Sequence, residues 1–217
     1  MTTILVVADE PRELPRPDAL RSISPDLVLS CGDLPFESLE QIVDVCNVPL
    51  LYVPGNHDPA LGGAESFSPF AYLTSSWSEP RGPQGGQNID GDVAEAAGVV
   101  VAGLGGSLRY RDGPNQYPEG QMRRRAMRLA RRIRRRRLAL DVLVTHAPPR
   151  GVGDGEDPAH RGFACFHELL TTLRPAFHVH GHIHPHGPRR PEGRVGTTRV
   201  VNAVGHRVLH LARGLAR

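Results

Sequence analysis

Leu51-Tyr52-Val53-Pro54-Gly55-Asn56-His57-Asp58 decides how this chain is read. A short apolar run stops at glycine and then presents an amide, an imidazole and a carboxylate in succession. Read as a strand ending at the rim of a sheet, it puts a metal-ligand type beside an acid/base type. Open α/β sheets place their chemistry at that rim. The bland alternative is a strand followed by an Asn/Asp turn, so the decision rests on what surrounds the stretch.

Upstream, Ile4 to Ala8 is a β-branched apolar run ending at Asp9-Glu10-Pro11, and a Pro-rich loop follows through Pro17. Asp26 to Ser30 is a second strand, ending at Cys31-Gly32-Asp33. Leu39, Ile42, Val43 and Cys46 recur at helical spacing, which predicts an amphipathic helix over 36–46. Three strands in succession therefore end in potential metal ligands. Downstream, the Pro-, Gly- and Ser-rich stretch 59–86 reads as a long loop of the lid type. Asp92 to Glu95 and Gly98 to Gly103 read as a hairpin. Gly103-Leu104-Gly105-Gly106 opens a polar loop through Tyr117 whose backbone N–H groups suit a phosphate, although a tight turn accounts for the same glycines. Asp141 to Thr145 is a strand ending at His146. Phe163 to Leu173 is a helix, and Phe177 to His180 is a strand running into Gly181-His182-Ile183-His184. Val200 to Val204 and His206 to Leu211 read as a closing hairpin turning at Ala203 to Gly205.

The chain has 217 residues, enough to bury a substantial core, and 1–217 is read as one domain. Formal net charge is +3 and there is no lysine. Ten arginines fall between Arg123 and Arg137, within a helix predicted over 119–140 whose apolar face carries Met122, Ala126, Leu129, Ala130 and Ile133. That basic face suits RNA, a nucleotide or an acidic partner, but a solvated helix surface in a lysine-free protein is preferred. Interleaved aromatics for base stacking are missing. Three dispersed cysteines give neither a disulfide framework nor a thiolate zinc site. With no basic leader and no apolar run of spanning length, the expected compartment is the cytoplasm.

The collected strand ends are Asp9, Asp33, Asn56-His57-Asp58, His146 and His182/His184. Oxygen ligands mixed with imidazole suit Mn²⁺, Fe or Zn²⁺. One shared carboxylate with ligands on both sides suggests two ions about 3.5–4 Å apart, as in hydrolytic phosphoryl transfer. Arg109 and Asn115, in the glycine-rich loop, are candidate contacts for substrate phosphate or base.

At this point the chain resembles the calcineurin-like metallophosphoesterase superfamily, whose pattern is D-x-H, G-D, G-N-H-D/E, a lone H and G-H-x-H. Four of the five blocks are intact: Gly32-Asp33, Gly55-Asn56-His57-Asp58, His146 and Gly181-His182-Ile183-His184. The short length and the loop Gly113 to Tyr117 look like small bacterial members. The resemblance implies a four-layer α/β/β/α sandwich of two mixed sheets flanked by helices. It implies that Asp33 bridges two metals, that Asn56, His146 and His182 complete the second, and that Asp9 and His184 bind the first. His57 would contact the scissile phosphate and protonate the leaving group, with Asp58 orienting it. Pro11 stands where the family has its first-metal histidine, so the first ion should be weaker and more labile. The expected function is a metal-dependent phosphohydrolase, a phosphodiesterase on a nucleotide-like or small phosphodiester, attacking with a metal-bound hydroxide. The competing reading is a degenerate member that binds a nucleotide or a protein with little or no turnover. His178 and His180, alternating with Phe177 and Val179, are read as structural or outer residues; His160, His167, His186, His206 and His210 are read as ordinary surface or hydrogen-bonding residues.

Overall fold

A computed structural model describes residues 1–60, 82–184 and 192–212. Strand β1 (Thr2–Ala8) explains its own sequence. Ile4, Val6 and Ala8 face one way and Leu5 and Val7 the other, and all five are fully buried. A strand covered on both faces is apolar at every position, not at alternate ones. β2 (Leu27–Ser30), β3 (Leu50–Tyr52) and β4 (Gly86–Asn88) continue the sheet in parallel, and β13 (Gly205–Leu211) closes its other edge antiparallel to β1. The order is β13-β1-β2-β3-β4.

The second sheet runs β11 (Glu192–Val195), β12 (Thr198–Asn202), β10 (Phe177–His180), β9 (Val142–Thr145), β6 (Val99–Leu104) and β5 (Val93–Ala96). Its four central strands are parallel and both edge pairs antiparallel. The two sheets bury their facing sides together: Val6, Leu29 and Leu51 meet Val101, Val144 and Val179. The outer side of the first sheet packs on α1 (Pro17–Ile23) and α2 (Phe36–Cys46) through Leu5, Val28, Leu20 and Ile42. The outer side of the second packs on α3 (Glu119–Arg135) and α4 (Cys165–Leu173) through Leu143, Val200, Leu129 and Phe166. This is the four-layer arrangement expected from the sequence. No helix among the described residues is long and apolar enough to cross a membrane.

The structure corrects several sequence expectations. The closing hairpin does not form. β12 pairs with β10 in one sheet and β13 with β1 in the other. The small residues Ala203 to Gly205 carry the chain between sheets, with Ala8 bridged to Val204. Two apolar strands joined by small residues look alike either way, because only long-range pairing distinguishes them. The antiparallel partner of β12 is the polar β11, which carries no alternating apolar signal. The Pro-rich loop ends by starting α1, since Pro17 occupies the first helical position, where a missing N–H costs nothing. The arginine helix ends at Arg135, short of Leu140. Arg137 turns left-handed (φ 54°) and the Leu138 N–H returns to the Ile133 carbonyl at 3.2 Å. Most of the lid stretch lies outside the described residues, as does His186, but its end begins β4.

A short loop precedes α3. It holds the parallel pair β7 (Ser107–Leu108) and β8 (Gln116–Tyr117). It is anchored by Asp90, whose Oδ1 accepts the Gly105 N–H at 2.6 Å and an Arg125 Nη2 hydrogen at 2.6 Å. The same guanidinium reaches the Gly105 carbonyl and lies 4.2 Å from the Tyr117 ring centroid. Both partners are largely buried, at 16% and 18% exposure. Arg125→Ala leaves the Asp90 carboxylate uncompensated and should lower unfolding free energy by about 2–3 kcal/mol. Urea denaturation of the two proteins checks this.

Candidate metal centre

Every sequence-derived ligand sits just past a strand of the two central sheets, and the backbone there is unusual. Asp9, Asp33 and His182 all adopt left-handed φ, at 58°, 56° and 67°. That conformation is sterically strained for residues other than glycine, and such residues gather at functional sites. The turn lets the side chain fold back across the end of the sheet instead of continuing along the strand. Glycines make room for it. A Cβ on Gly55 would strike the Asp33 carboxylate, and one on Gly181 would strike that of Asp9. Gly32 (φ 95°) packs its backbone directly on Gly55.

Asp9, Asp33 and His146 bring one ligand atom each within 4.8 Å of one another. Asp33 Oδ2 lies 3.2 Å from His146 Nε2, and its Oδ1 accepts the His57 N–H at 2.8 Å. Asp9 accepts the His182 N–H on both carboxylate oxygens, at 3.1 and 2.9 Å. His146 is fully buried. Its Nδ1 donates to the Cys31 carbonyl at 2.8 Å, and its Nε2 faces Asn56 Oδ1 at 2.9 Å as well as Asp33. Both ring nitrogens thus meet acceptors, which only the imidazolium can satisfy. The electrostatics agree. Burial works against the His146 cation, yet Asp33, Asp9 and the Cys31 carbonyl raise it to about 9. Burial also works against the Asp33 anion, and the His146 charge and hydrogen bond bring it down to about 2. Burial pushes Asp9 up to about 6 against the pull of His146. Two buried carboxylates and a nearby imidazole, all aimed at one point, match the hard oxygen and nitrogen donors that divalent ions take.

The remaining candidate ligands lie around this cluster. The His182 ring centroid is 4.8 Å from that of His146. Its Nε2 donates to the Ala159 carbonyl at 2.7 Å, so the neutral ring keeps its lone pair on Nδ1. Burial, then the His146 charge, lowers its pKa to about 3. His184 is exposed, and its charge acts on Asp9. His57 is exposed at the mouth, held by its backbone to Asp33. Asp58 departs from its expected place. It does not hydrogen-bond His57; its Oδ2 accepts the N–H groups of Gly55 (2.7 Å) and Asp33 (3.0 Å), tying the two ligand turns together.

The glycine-rich loop also differs from expectation. Gly105 and Gly106 direct their N–H groups to Asp90 and to the Pro54 carbonyl, which removes the phosphate cradle. Asn115 uses Nδ2 to hold the carbonyls of Gly55 and Asp58 at 2.9 and 3.0 Å, so it braces the ligand turn from behind. Arg109 reaches the Gln116 carbonyl at 3.4 Å. Glu10 does not replace the histidine missing at Pro11, since its carboxylate accepts the Arg12 N–H and caps the 3₁₀ turn Pro11–Glu13. His178 and His180 are fully buried on the helix side of β10; His178 shares a 2.7 Å hydrogen bond with Thr145.

Sequence reasoning missed three groups. The Tyr110 hydroxyl lies 3.4 Å from Asn56 Nδ2 and helps fix that ligand's rotamer. The carbonyls of Cys31 and Ala159 set the tautomers of His146 and His182. Tyr110 stood in the loop already singled out, next to Arg109. The carbonyls leave no trace in sequence.

Residues 6–186 match the family described as calcineurin-like phosphoesterase. The chain belongs to that family. Calcineurin-like phosphoesterases are metal-dependent phosphoester hydrolases, and the cluster at Asp9, Asp33 and His146 is a ligand set of the kind they need. One solved crystal structure is similar at a TM-score of 0.62 and 18% identity, covering 94% of this chain and 90% of that one. Another, of TT1561 of Thermus thermophilus, has a TM-score of 0.55 and 18% identity over 94% and 89% of the two chains. At these identities the likeness is one of fold. No curated protein matches the chain.

An ion entering this cluster must displace the proton on His146 Nε2. Apparent metal affinity should therefore rise with pH, by about tenfold per unit up to about pH 9, and more steeply below about pH 6 where Asp9 also protonates. Titration calorimetry in buffers of different ionisation enthalpy should show about one proton released per ion near neutral pH.

Proposed function

We propose that this phosphoesterase is a phosphodiesterase acting on a nucleotide-like or other small phosphodiester with Mn²⁺ as the working ion. The observation that carries the reading is the position of Asp33, shared between the His146 ring on one side and the His57 backbone on the other. Asp9, Asp33 and His184 would hold one ion, and Asp33, Asn56, His146 and His182 the other. Such ions supply Lewis acidity and lower the pKa of water, which removes any need for a side-chain nucleophile.

The chain's own residues do the rest. The Cys31 and Ala159 carbonyls fix which nitrogen His146 and His182 present. Asp58 and Asn115 hold the Gly55-to-Asp58 turn rigid from behind. Rigidity there keeps the ligand geometry from relaxing when charge develops. His57, exposed at the mouth, would donate a proton to the departing ester oxygen. When an ester P–O bond breaks, its alcohol departs as an alkoxide, and a positioned acid lowers the cost of that charge. The exposure of His57 leaves room for the second ester arm. Free thiols at buried Cys31 and Cys165 and half-buried Cys46 favour a reducing, cytoplasmic setting.

The second reading, a binding protein with little turnover, is favoured by one observation. Glu10 is engaged in its own turn and leaves the first ion without a substitute for the missing histidine. Hydrolysis of an aryl phosphodiester and the matching monoester with added Mn²⁺ separates the two. The expected result is diester turnover that vanishes in Asp33→Ala; His57→Ala should lower kcat about 10²-fold or more for a dialkyl diester, whose alkoxide needs a proton, and much less for the aryl one. Monoester preference would sink the diesterase assignment, and no turnover above the Asp33→Ala control would favour the binder. Pro11→His should restore a first-ion ligand, raising the Mn²⁺ retained through gel filtration.

A further inference from the structure

We propose that the cleft between α3 and α4 docks an acidic amphipathic helix of another protein. The first observation is how the arginines of α3 sort. Of the chain's 26 basic residues, ten lie between 123 and 137, a stretch that contains no acid. A lysine-free composition explains arginine in place of lysine but not this density. Arg125, Arg132 and Arg136 turn to one side and are engaged by Asp90, Asp92 and the backbone of Gly91 and β5. Arg124, Arg128, Arg131, Arg134, Arg135 and Arg137 have no hydrogen-bonding or ion-pair partner for their guanidinium groups among the described residues. Structural need thus accounts for one flank of the helix and leaves six guanidinium groups beyond it uncompensated, with Arg123 alone meeting an acid on the α4 side.

The second observation is a cleft on the α4 side. It has a volume of about 260 Å³, and Arg123, Arg131 and Arg134 stand around it. Between the arginines the apolar surface is that of Met127, 42% exposed, above the buried Ala126 and Leu169, with Glu168 and Thr172 on the α4 side. Met127 is the one large apolar side chain exposed on any described helix. A flexible, polarizable methionine suits a surface that must take in a partner's side chains. Arg123 bridges the cleft to Glu168 at 3.5 Å. The cleft runs along α3 from Arg123 to Arg134, about 18 Å, enough for about three turns of a partner helix.

The chemistry selects the occupant. A basic rim around an apolar floor complements carboxylates flanking an apolar stripe. Nucleic acid would use the arginines but not the floor, and no aromatic side chain offers a stacking platform. A membrane surface could not insert α3, because its apolar stripe of Met122, Leu129 and Ile133 is already in the core. A second copy is a poor fit as well: α2 carries the acids Glu37 and Asp44 on its exposed side, but its apolar residues Leu39 and Ile42 are buried.

The test uses the full chain and a synthetic peptide, about five turns long, of glutamates with leucines at helical spacing. Its control has the same composition with the leucines scattered. Fluorescence anisotropy should show the amphipathic peptide binding at least tenfold more tightly than the control. Arg131→Glu with Arg134→Glu should weaken it tenfold or more, and Met127→Glu should do so with the arginine rim left intact. Metal content and thermal melting should stay as in the parent for both variants. Equal affinity for the two peptides would reduce the site to bulk charge and overturn the proposal. Tighter binding of an RNA or DNA duplex or of an anionic phospholipid vesicle would overturn it too, as would self-association that the same substitutions abolish. The outcome is independent of turnover at the metal centre.

Discussion

Two carboxylates, Asp9 and Asp33, are buried side by side, and something positive has to lie between them. That constraint governs the centre of this protein. Burial works against both anions, and Asp33 adds its repulsion on Asp9. Among the protein's own groups that charge comes from the His146 ring, whose two nitrogens both meet acceptors. A divalent cation held by the same side chains would take over that role.

Holding the carboxylates so close requires the ends of strands from both sheets to meet. β1 and β2 of one sheet bring Asp9 and Asp33; β9 and β10 of the other bring His146 and His182. The core between the sheets fixes the distance, since Val6 and Leu29 pack directly on Val144 and Val179. Close packing makes that separation stiff. Glycine at 32, 55 and 181 then lets backbone or carboxylate approach where a Cβ would collide. Left-handed φ at Asp9, Asp33 and His182 is the residual strain, held in place as the Asp33 N–H donates to Asp58, the Asp9 N–H to the Gly32 carbonyl and the His182 N–H to the Asp9 carboxylate.

The outer layers obey a different logic. α1 and α2 cover one sheet with an ordinary apolar stripe and a mixed polar surface. α3 covers the other sheet with an equally ordinary stripe, but its polar surface is almost wholly arginine. Burial decides the inward face of a helix and leaves the outward face free to carry some other property. On α3 that freedom has been used asymmetrically, with three arginines engaged toward β5 and only Arg123 meeting an acid toward α4.

The layers, and the convergence of Asp9, Asp33 and His146, were legible in the order of the residues. Runs such as Ile4 to Ala8 can be buried on both faces only in a covered sheet, and glycine followed by Asp, Asn or His after such runs marks the ligand turns. Those signals are local, and they survive because one strand or one turn carries each. The features that needed the folded chain are all long-range. Folding assigned β12 and β13 to different sheets, gave Asp58 and Asn115 to bracing, and turned the Gly105 and Gly106 N–H groups inward. It also set the tautomers of His146 and His182 through backbone carbonyls. A side chain's identity states what it can donate or accept, and only the fold settles which partner arrives within about three ångströms of it.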